Sequence, residues 1–241
     1  MERKDFLKKG LGLIGVSTVV LDACKKDGLS DTDVLTAGSA DMSSEGCVVS
    51  PAETEGPYPY PGGEKNNPLN RVDVTEGKPG LPLYLTFTVV NTNAGCAPVT
   101  GARVDIWHCD RDGYYSGYKQ NGYLGQKDLT GQTFMRGYQV ADANGECKFT
   151  TIYPGWYPGR TTHIHIEVFI NGALKKTTQI AFPDRANKKV NSTDGYSAHG
   201  QNPTKNLADS VFVNSLSSEL ASVDSYSASG VHASYTIGIA L

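Results

Sequence analysis

The sequence predicts an all-β protein, an antiparallel β-sandwich with little helix. Short stretches in which apolar and polar residues alternate recur along the chain, and turn signals containing glycine or asparagine separate them. A helical period is confined to residues 207–220. Short strands at this spacing, joined by tight turns, are typical of two packed antiparallel sheets.

Seven segments carry the strand pattern, and the turn signals Asp112-Gly113 and Asn171-Gly172 are among those between them. The segments are 83–90, 102–107, 133–140, 147–152, 163–170, 176–182 and 235–241. Apart from this last strand, the tail from residue 214 onward carries no strand pattern. We expect one folded domain over residues 47–241.

Residues 1–24 have the layout of an export signal. Basic residues precede an apolar stretch, residues 11–21, that is too short to span a bilayer as a helix. The stretch ends in Leu21-Asp22-Ala23-Cys24, which resembles the bacterial lipobox, where cleavage leaves a diacylated cysteine. We therefore expect a membrane-anchored lipoprotein, held through Cys24 on the periplasmic side or at the surface of a bacterial cell. Arg3-Lys4-Asp5-Phe6 also resembles a twin-arginine export motif with Lys in place of the second Arg, and an ordinary basic region is the alternative.

Residues 25–46 are polar and rich in Ser, Asp and Thr, which predicts a flexible tether. The 241-residue chain has a formal net charge of -3, and no run of Lys and Arg is interleaved with aromatic residues. This composition argues against nucleic-acid binding.

Four cysteines remain when Cys24 is set aside: Cys47, Cys96, Cys109 and Cys147. An even number in an exported protein predicts two disulfides, and the sequence leaves their pairing open. A zinc cluster is the less favoured alternative because no pair has the short spacing of a zinc knuckle.

His163 and His165 form a His-x-His step on a predicted strand. Side chains two residues apart in a strand project from one face, roughly 7 Å apart, so both can reach one metal ion. Tyr157, after a Pro-Gly turn, is a candidate third ligand, and Tyr114 or Tyr115 is a candidate fourth. Two phenolates with two imidazoles favour a hard trivalent metal, of which iron(III) is the natural candidate.

Arg160 lies between the candidate ligands and requires an anionic partner or water. Each of these features alone is weak evidence, because histidine and tyrosine are common on polar strand faces. Their combination is harder to attribute to packing.

The domain resembles the intradiol ring-cleavage dioxygenases, the family of catechol 1,2-dioxygenases and protocatechuate 3,4-dioxygenases. The resemblance spans about residues 47–182, weakly to 212, and the matching blocks keep the family's order. The blocks are 54–58, 101–107, 113–116, 134–137, 142–151, 152–157, 163–165 and 178–180.

The resemblance implies a non-haem iron(III) held by Tyr115, Tyr157, His163 and His165, with Tyr115 preferred over Tyr114 for its spacing after the strand tryptophan. It implies catalytic roles for Arg160 and Gln179, and for Tyr115 as a proton acceptor. Pro57 and Tyr58 belong to the segment that lies beside the substrate ring in relatives. The implied reaction cleaves a catechol-type diol with O2 between its hydroxyl-bearing carbons, giving a cis,cis-muconate-type diacid.

Two alternatives stay open. Glu167 lies on the same strand face as the histidines, so a His/His/Glu site for iron(II) or zinc is one of them, although four strand residues span roughly 13 Å. The other is a surface-anchored β-sandwich that binds a ligand without catalysis. The sequence leaves open the identity of the catechol, the oligomeric state and the membrane face.

Overall fold

The computed structural model describes residues 47–241, so the expected signal, Cys24 anchor and tether lie outside the described residues. The described part contains eleven strands and one α-helix. These are β1 Pro82–Asn91, β2 Ala97–Pro98, β3 Arg103–Trp107, β4 Lys119–Gly122, β5 Gly125–Asp128, β6 Arg136–Val140, β7 Glu146–Ile152, β8 His163–Ile170, β9 Ala173–Ala181, α1 Asp184–Val190, β10 Ser222–Ser227 and β11 Gly230–Ile239.

Two large sheets form the predicted sandwich. One has the strand order β6-β3-β8-β9 and is antiparallel throughout. The other has the order β10-β11-β1-β2, with β7 also paired to β1. Within this sheet β1 and β11 are parallel, from Leu83 opposite Val231 to Asn91 opposite Ile239, so the antiparallel prediction is wrong for this one pair. A separate two-stranded hairpin joins β4 to β5.

The apolar core lies between the two sheets. Ile164, Ile166 and Val168 of β8 belong to the same buried cluster as Phe87 of β1 and Ile237 of β11. Each of these side chains is fully buried, and burial of one such side chain stabilises a fold by about 1.5–3 kcal/mol. The alternation of apolar and polar side chains along β8 therefore determines which of its faces packs in the core.

The opposite face of β8 is also buried, because loops cover it. His163, His165 and Glu167 on that face are 2%, 1% and 3% exposed. One face of β8 is apolar and packs in the core, and its other face, also buried, carries the histidines. The strand therefore places polar side chains in the protein interior. This arrangement positions the candidate site.

All seven predicted strands are present, and all except the one over 163–170 have altered limits. The strand predicted from residue 133 begins at Arg136, because Met135 has a φ of 56° and cannot continue an extended strand. The last strand begins at Gly230 rather than 235, and β2, β4, β5 and β10 were not predicted.

The helical period over 207–220 does not form an α-helix. Two short 3-10 turns, Asn206–Ala208 and Leu216–Ser218, lie there instead. Between them the Asp209 carboxylate accepts the backbone N–H of Val211, which replaces a helical hydrogen bond. The α-helix α1, which the sequence pattern does not predict, lies directly after β9.

The prediction of two disulfides is wrong, because the described residues, which include all four of these cysteines, form one. Cys47 and Cys96 are bonded, with Cα atoms 5.6 Å apart. Cys109 and Cys147 are free and buried in different places: Cys147 in the sandwich core, and Cys109 beside Trp107 and Tyr115. No helix within 47–241 has the length and hydropathy needed to cross a membrane.

Candidate functional site

Four side chains bring their polar atoms together beside β8. The Tyr115 Oη lies 3.2 Å from the Nε2 atoms of both His163 and His165. The Tyr157 Oη lies 3.1 Å from His163 Nε2, and the two histidine Nε2 atoms are 3.2 Å apart. Two phenol oxygens and two imidazole nitrogens thus point at one centre.

The two tyrosines reach this centre from two loops that pack against each other. A β-carbon at Gly113 would lie 2.4 Å from the carbonyl oxygen of Trp156, and one at Gly155 would lie 2.3 Å from the carbonyl oxygen of Arg111. Only glycine permits backbones to approach this closely. The pair of glycines therefore holds the loop of Tyr115 against the loop of Tyr157.

Tyr114 does not take part in this cluster. Its hydroxyl donates to the carbonyl of Gly125 at 2.8 Å and accepts the backbone N–H of Leu124 at 2.9 Å, both in the β4–β5 hairpin. Neighbouring residues of the loop thus point in different directions. Tyr115 is the one that faces the histidines.

The hydrogen bonds of His163 fix its tautomer. Its Nδ1 lies 2.6 Å from the Thr161 carbonyl, an acceptor, so Nδ1 donates and Nε2 carries a lone pair directed at the centre. The His165 ring stacks on Trp107, with centroids 4.9 Å apart and planes 7° apart. Within the described part, its buried Nδ1 has no hydrogen-bond partner.

Burial sets the protonation of the four groups. It lowers the pKa of both His163 and His165 well below 6.5, so the rings are neutral. It raises the pKa of Tyr157 to about 12, and that of Tyr115 well above 10. Without a cation, both phenols therefore keep their protons at neutral pH.

This donor set fits a hard trivalent ion. Neighbouring ligands about 3 Å apart are what metal–ligand bonds of about 2.0–2.1 Å produce. The lone pair of His163 Nε2 is already directed inward by its tautomer. Phenol oxygens become strong hard donors once a cation offsets the burial that opposes their ionisation. Tyr115, Tyr157, His163 and His165 are therefore the residues that would hold iron(III).

The structure contradicts the His/His/Glu alternative. Among residues 47–241, no three side chains of His, Cys, Asp or Glu form a group that could hold a metal ion. Glu167 instead accepts a hydrogen bond from the Thr177 hydroxyl at 3.1 Å. Strand rise places it too far along β8 to share an ion with His163.

Arg160 lies at the edge of the cluster and is held from two sides. Its Nε donates to both carboxylate oxygens of Asp209, at 3.1 and 2.9 Å. One terminal nitrogen donates to Gln179 Oε1 at 2.6 Å, and the other lies 3.4 Å from His163 Nε2. The Arg160 side chain is 15% exposed and that of Asp209 is fully buried, so solvent screens this ion pair little.

The segment that precedes the sandwich covers the centre. The Gln179 side-chain amide donates to the Thr54 carbonyl at 2.9 Å. A β-carbon at Gly56 would lie 3.0 Å from the His165 ring. Tyr58 stacks on Tyr115 with centroids 4.8 Å apart, whereas Pro57 is exposed. Tyr58 thus packs directly on a predicted ligand, and Pro57 lies at the surface beside it.

Arg136 holds the covering segment in place through hydrogen bonds. Its guanidinium donates to the Tyr58 carbonyl at 2.8 Å, and to the hydroxyl and carbonyl oxygens of Ser116 at 2.9 and 2.8 Å. Glu64 Oε1 lies 3.7 Å from it. Arg136 is fully buried and thereby ties the covering segment to the residue that follows Tyr115.

Sequence reasoning missed Asp209 and Arg136. The sequence predicts that Arg160 needs an anionic partner, but no local pattern distinguishes the carboxylate of Asp209, 49 residues away. Arg136 lies in a recognised block, yet its role depends on Tyr58 and Ser116, which only the fold brings to it.

Comparisons with known proteins agree on one family. Residues 54–202 match the family model described as Dioxygenase. Catechol 1,2-dioxygenase 1 of Acinetobacter lwoffii is 27% identical over 147 residues, 54% of this chain and 45% of that protein. The chain thus spans less than half the length of this curated relative.

Two solved structures are similar over most of the described part. The intradiol ring-cleavage dioxygenase from Tetranychus urticae is 30% identical, with a TM-score of 0.72 over 80% of this chain and 95% of that one. The dioxygenase domain of a dioxygenase carbohydrate-binding protein fusion from Streptomyces sp. SirexAA-E is 28% identical, with a TM-score of 0.57 over 80% of this chain and 99% of that one.

Proposed function

Because the chain belongs to the intradiol ring-cleavage dioxygenase family, we propose that it cleaves a catechol-type diol with O2 between the two hydroxyl-bearing carbons. The product is a cis,cis-muconate-type dicarboxylic acid. The observation that carries the proposal is the cluster of two phenol oxygens and two imidazole nitrogens, 3.1–3.2 Å apart, with Arg160 beside it.

Tyr115, Tyr157, His163 and His165 hold the proposed non-haem iron(III). When bound, this ion would supply a Lewis-acid centre that activates the diol toward O2. Tyr115 Oη takes a proton from a substrate hydroxyl.

Arg160 stabilises the negative charge that develops on the ring and on oxygen during cleavage. A fixed cation in a buried site stabilises such charge far more than it would in water. Asp209 and Gln179 hold the guanidinium in place before the substrate binds, so little reorganisation is needed. Tyr58, stacked on Tyr115, covers the centre and helps to exclude water from it.

Oxygen uptake by the purified, iron-loaded protein tests the proposal. Catechol, protocatechuate and hydroxyquinol are offered in turn, and the product is identified by mass and ultraviolet spectrum. Uptake with at least one diol is expected, and Arg160→Ala lowers kcat by about 100-fold or more. An iron-loaded protein that takes up no oxygen with any diol would instead indicate a binding module.

We further propose that the protein is exported and anchored through lipid on Cys24. The layout of residues 1–24 supports this location. Mass spectrometry of the mature N-terminus is expected to find a lipid-modified Cys24, and Cys24→Ser moves the protein out of the membrane fraction. Finding the protein unprocessed in the cytoplasm would contradict this proposal.

A further inference from the structure

A cavity of about 890 Å³ lies away from the tyrosine and histidine cluster, and none of those four residues lines it. Its walls come from the end of α1 and the turn that follows, the chain entering β1, the turn between β10 and β11, and Arg111. Its volume is in the range of small-molecule sites, about 300–1,000 Å³.

Two cations in the cavity wall are incompletely neutralised. Lys189 Nζ lies 4.0 Å from the centroid of the Tyr226 ring, and in the described part no carboxylate oxygen lies within 4.0 Å of it. The buried Nε of Arg111 has no hydrogen-bond partner among residues 47–241, and Asp112 Oδ1 is 3.9 Å away. The Arg111 side chain as a whole is 32% exposed, so its terminal N–H groups are the ones that can donate to a ligand in the cavity.

The charge of the wall limits the ligand. Arg111 and Lys189 contribute two positive charges, and Asp194 contributes one negative charge to the same wall. Asp112, beside Arg111, is also paired with Lys127 at 3.8 Å, so the two added charges cancel and the excess remains one positive charge. This excess suits a monovalent anion better than a dianion. A carboxylate matches the planar N–H edge of a guanidinium.

Part of the uncharged wall is apolar, beside the hydroxyl residues Thr193, Ser227 and Ser229. Leu81, Pro82 and the ring of Tyr226 line the same cavity. A flat hydrophobic group packs well against proline and tyrosine surfaces. The cavity thus combines one net positive charge with an aromatic and aliphatic surface.

We propose that this cavity is a second binding site, distinct from the ring-cleaving centre, for an aromatic monocarboxylate. The carboxylate binds between Arg111 and Lys189, and the ring packs on Tyr226 and Pro82. The proposal rests on the cavity alone, and it stands or falls independently of the ring-cleavage reaction.

Isothermal titration of the purified full chain with benzoate tests the site, with acetate and benzyl alcohol as the two partial ligands. Benzoate is expected to bind at least tenfold more tightly than either, since acetate lacks the ring and benzyl alcohol lacks the charge. A tenfold difference in affinity corresponds to about 1.4 kcal/mol. Arg111→Gln and Lys189→Gln are each expected to weaken benzoate binding about tenfold. Lys188→Gln, an exposed change on the same helix, is expected to leave it unchanged.

Arg160→Gln separates this site from the ring-cleaving centre. Benzoate affinity that is unchanged in this variant supports the second site. Affinity that is lost in Arg160→Gln but kept in Arg111→Gln and Lys189→Gln places benzoate at the other centre and overturns the proposal. The proposal also fails if benzoate does not bind, or if acetate binds as tightly. Circular dichroism of each variant verifies that it is folded before titration.

Discussion

The carboxylate of Asp209 binds the guanidinium of Arg160 through both of its oxygens, at 3.1 and 2.9 Å from Nε. The same carboxylate accepts the backbone N–H of Thr161 at 2.7 Å. Asp209 therefore orients the cation and also fixes the chain between Arg160 and His163. It touches no predicted ligand, so its effect on the reaction passes through Arg160.

Asp209→Asn is expected to lower kcat by about 100-fold, because a misplacement of about 1 Å in a catalytic group has an effect of that size. KM for the diol is expected to change much less, since Arg160 acts on charge that develops during the reaction. Steady-state oxygen uptake measures both constants. Asp224→Asn is the matched control, because Asp224 is exposed on β10 and, within residues 47–241, bonds only to the hydroxyls of Ser222 on β10 and Ser234 on β11.

An unchanged kcat in Asp209→Asn would contradict the positioning role. Thermal unfolding of the variant separates this role from a general loss of structure. A variant that unfolds near the wild-type temperature and still loses kcat supports positioning.

The phenol of Tyr157 is expected to give the iron-loaded protein a visible colour. A phenolate bound to iron(III) absorbs broadly in the visible region, and Tyr157→Phe removes one of the two proposed phenolates. We expect the band to weaken and shift in this variant, and to disappear when a chelator removes the metal. Tyr84→Phe is the control, because Tyr84 stacks on His232 rather than on the cluster.

A colourless, zinc-loaded wild-type protein would contradict the iron(III) assignment. Metal analysis beside the spectrum makes the two outcomes distinct. A band that persists unchanged in Tyr157→Phe would show that this phenol is not a ligand.

Glu167 is expected to make stability depend on pH. Burial, together with the negative charge of Glu55, raises the pKa of Glu167 to about 7, and no cation pairs with it within the described part. The folded state thus holds this proton more tightly than the unfolded state, whose pKa is near 4.5. The contribution to stability is full below pH 4.5 and is lost as the pH rises through 7.

Glu167→Gln removes this loss while its side-chain oxygen still accepts the Thr177 hydrogen bond. From pH 4.5 to pH 8, the unfolding free energy of the variant is expected to rise relative to that of wild type by on the order of 2 kcal/mol. Urea unfolding at both pH values measures it. Glu146→Gln, at a side chain 40% exposed, is the control and is expected to show little change. An equal change in both variants would sink the assignment to Glu167.

The sequence predicted the parts of this protein that depend on local period. His163–Ile170 was predicted with its observed limits, because a strand buried on both faces still alternates between apolar side chains and histidines. The preference for Tyr115 over Tyr114 as a ligand came from the family resemblance. In the structure the Tyr115 hydroxyl lies beside the histidines, and that of Tyr114 binds the β4–β5 hairpin. Local period alone does not distinguish adjacent tyrosines in a loop.

The features that the sequence did not predict depend on contacts between distant residues. The parallel pairing of β1 with β11 joins segments about 150 residues apart, and alternation within a strand does not reveal its partner. The even number of cysteines makes Cys109 a candidate disulfide partner, but Cys109 is buried beside Tyr115, away from Cys147. The Asp209 to Arg160 pair is of the same kind, since a carboxylate in a polar loop has no distinguishing local pattern.

His199 is expected to hold the loop of Tyr157 through a stack of three rings. Its ring lies between those of Trp156 and Tyr123, with both centroid distances 3.9 Å and planes within 5° and 12° of parallel. An aromatic pair contributes about 0.5–1.5 kcal/mol beyond the area it buries, so His199→Ala is expected to cost about 1–3 kcal/mol of unfolding free energy. His232→Ala is the matched control, because His232 stacks on one ring only, at 4.7 Å, and is expected to cost less.

His199→Phe keeps a ring between Trp156 and Tyr123 and is expected to restore most of the stability in urea unfolding. Failure of the Phe variant to recover more than the Ala variant would show that stacking is not what His199 contributes.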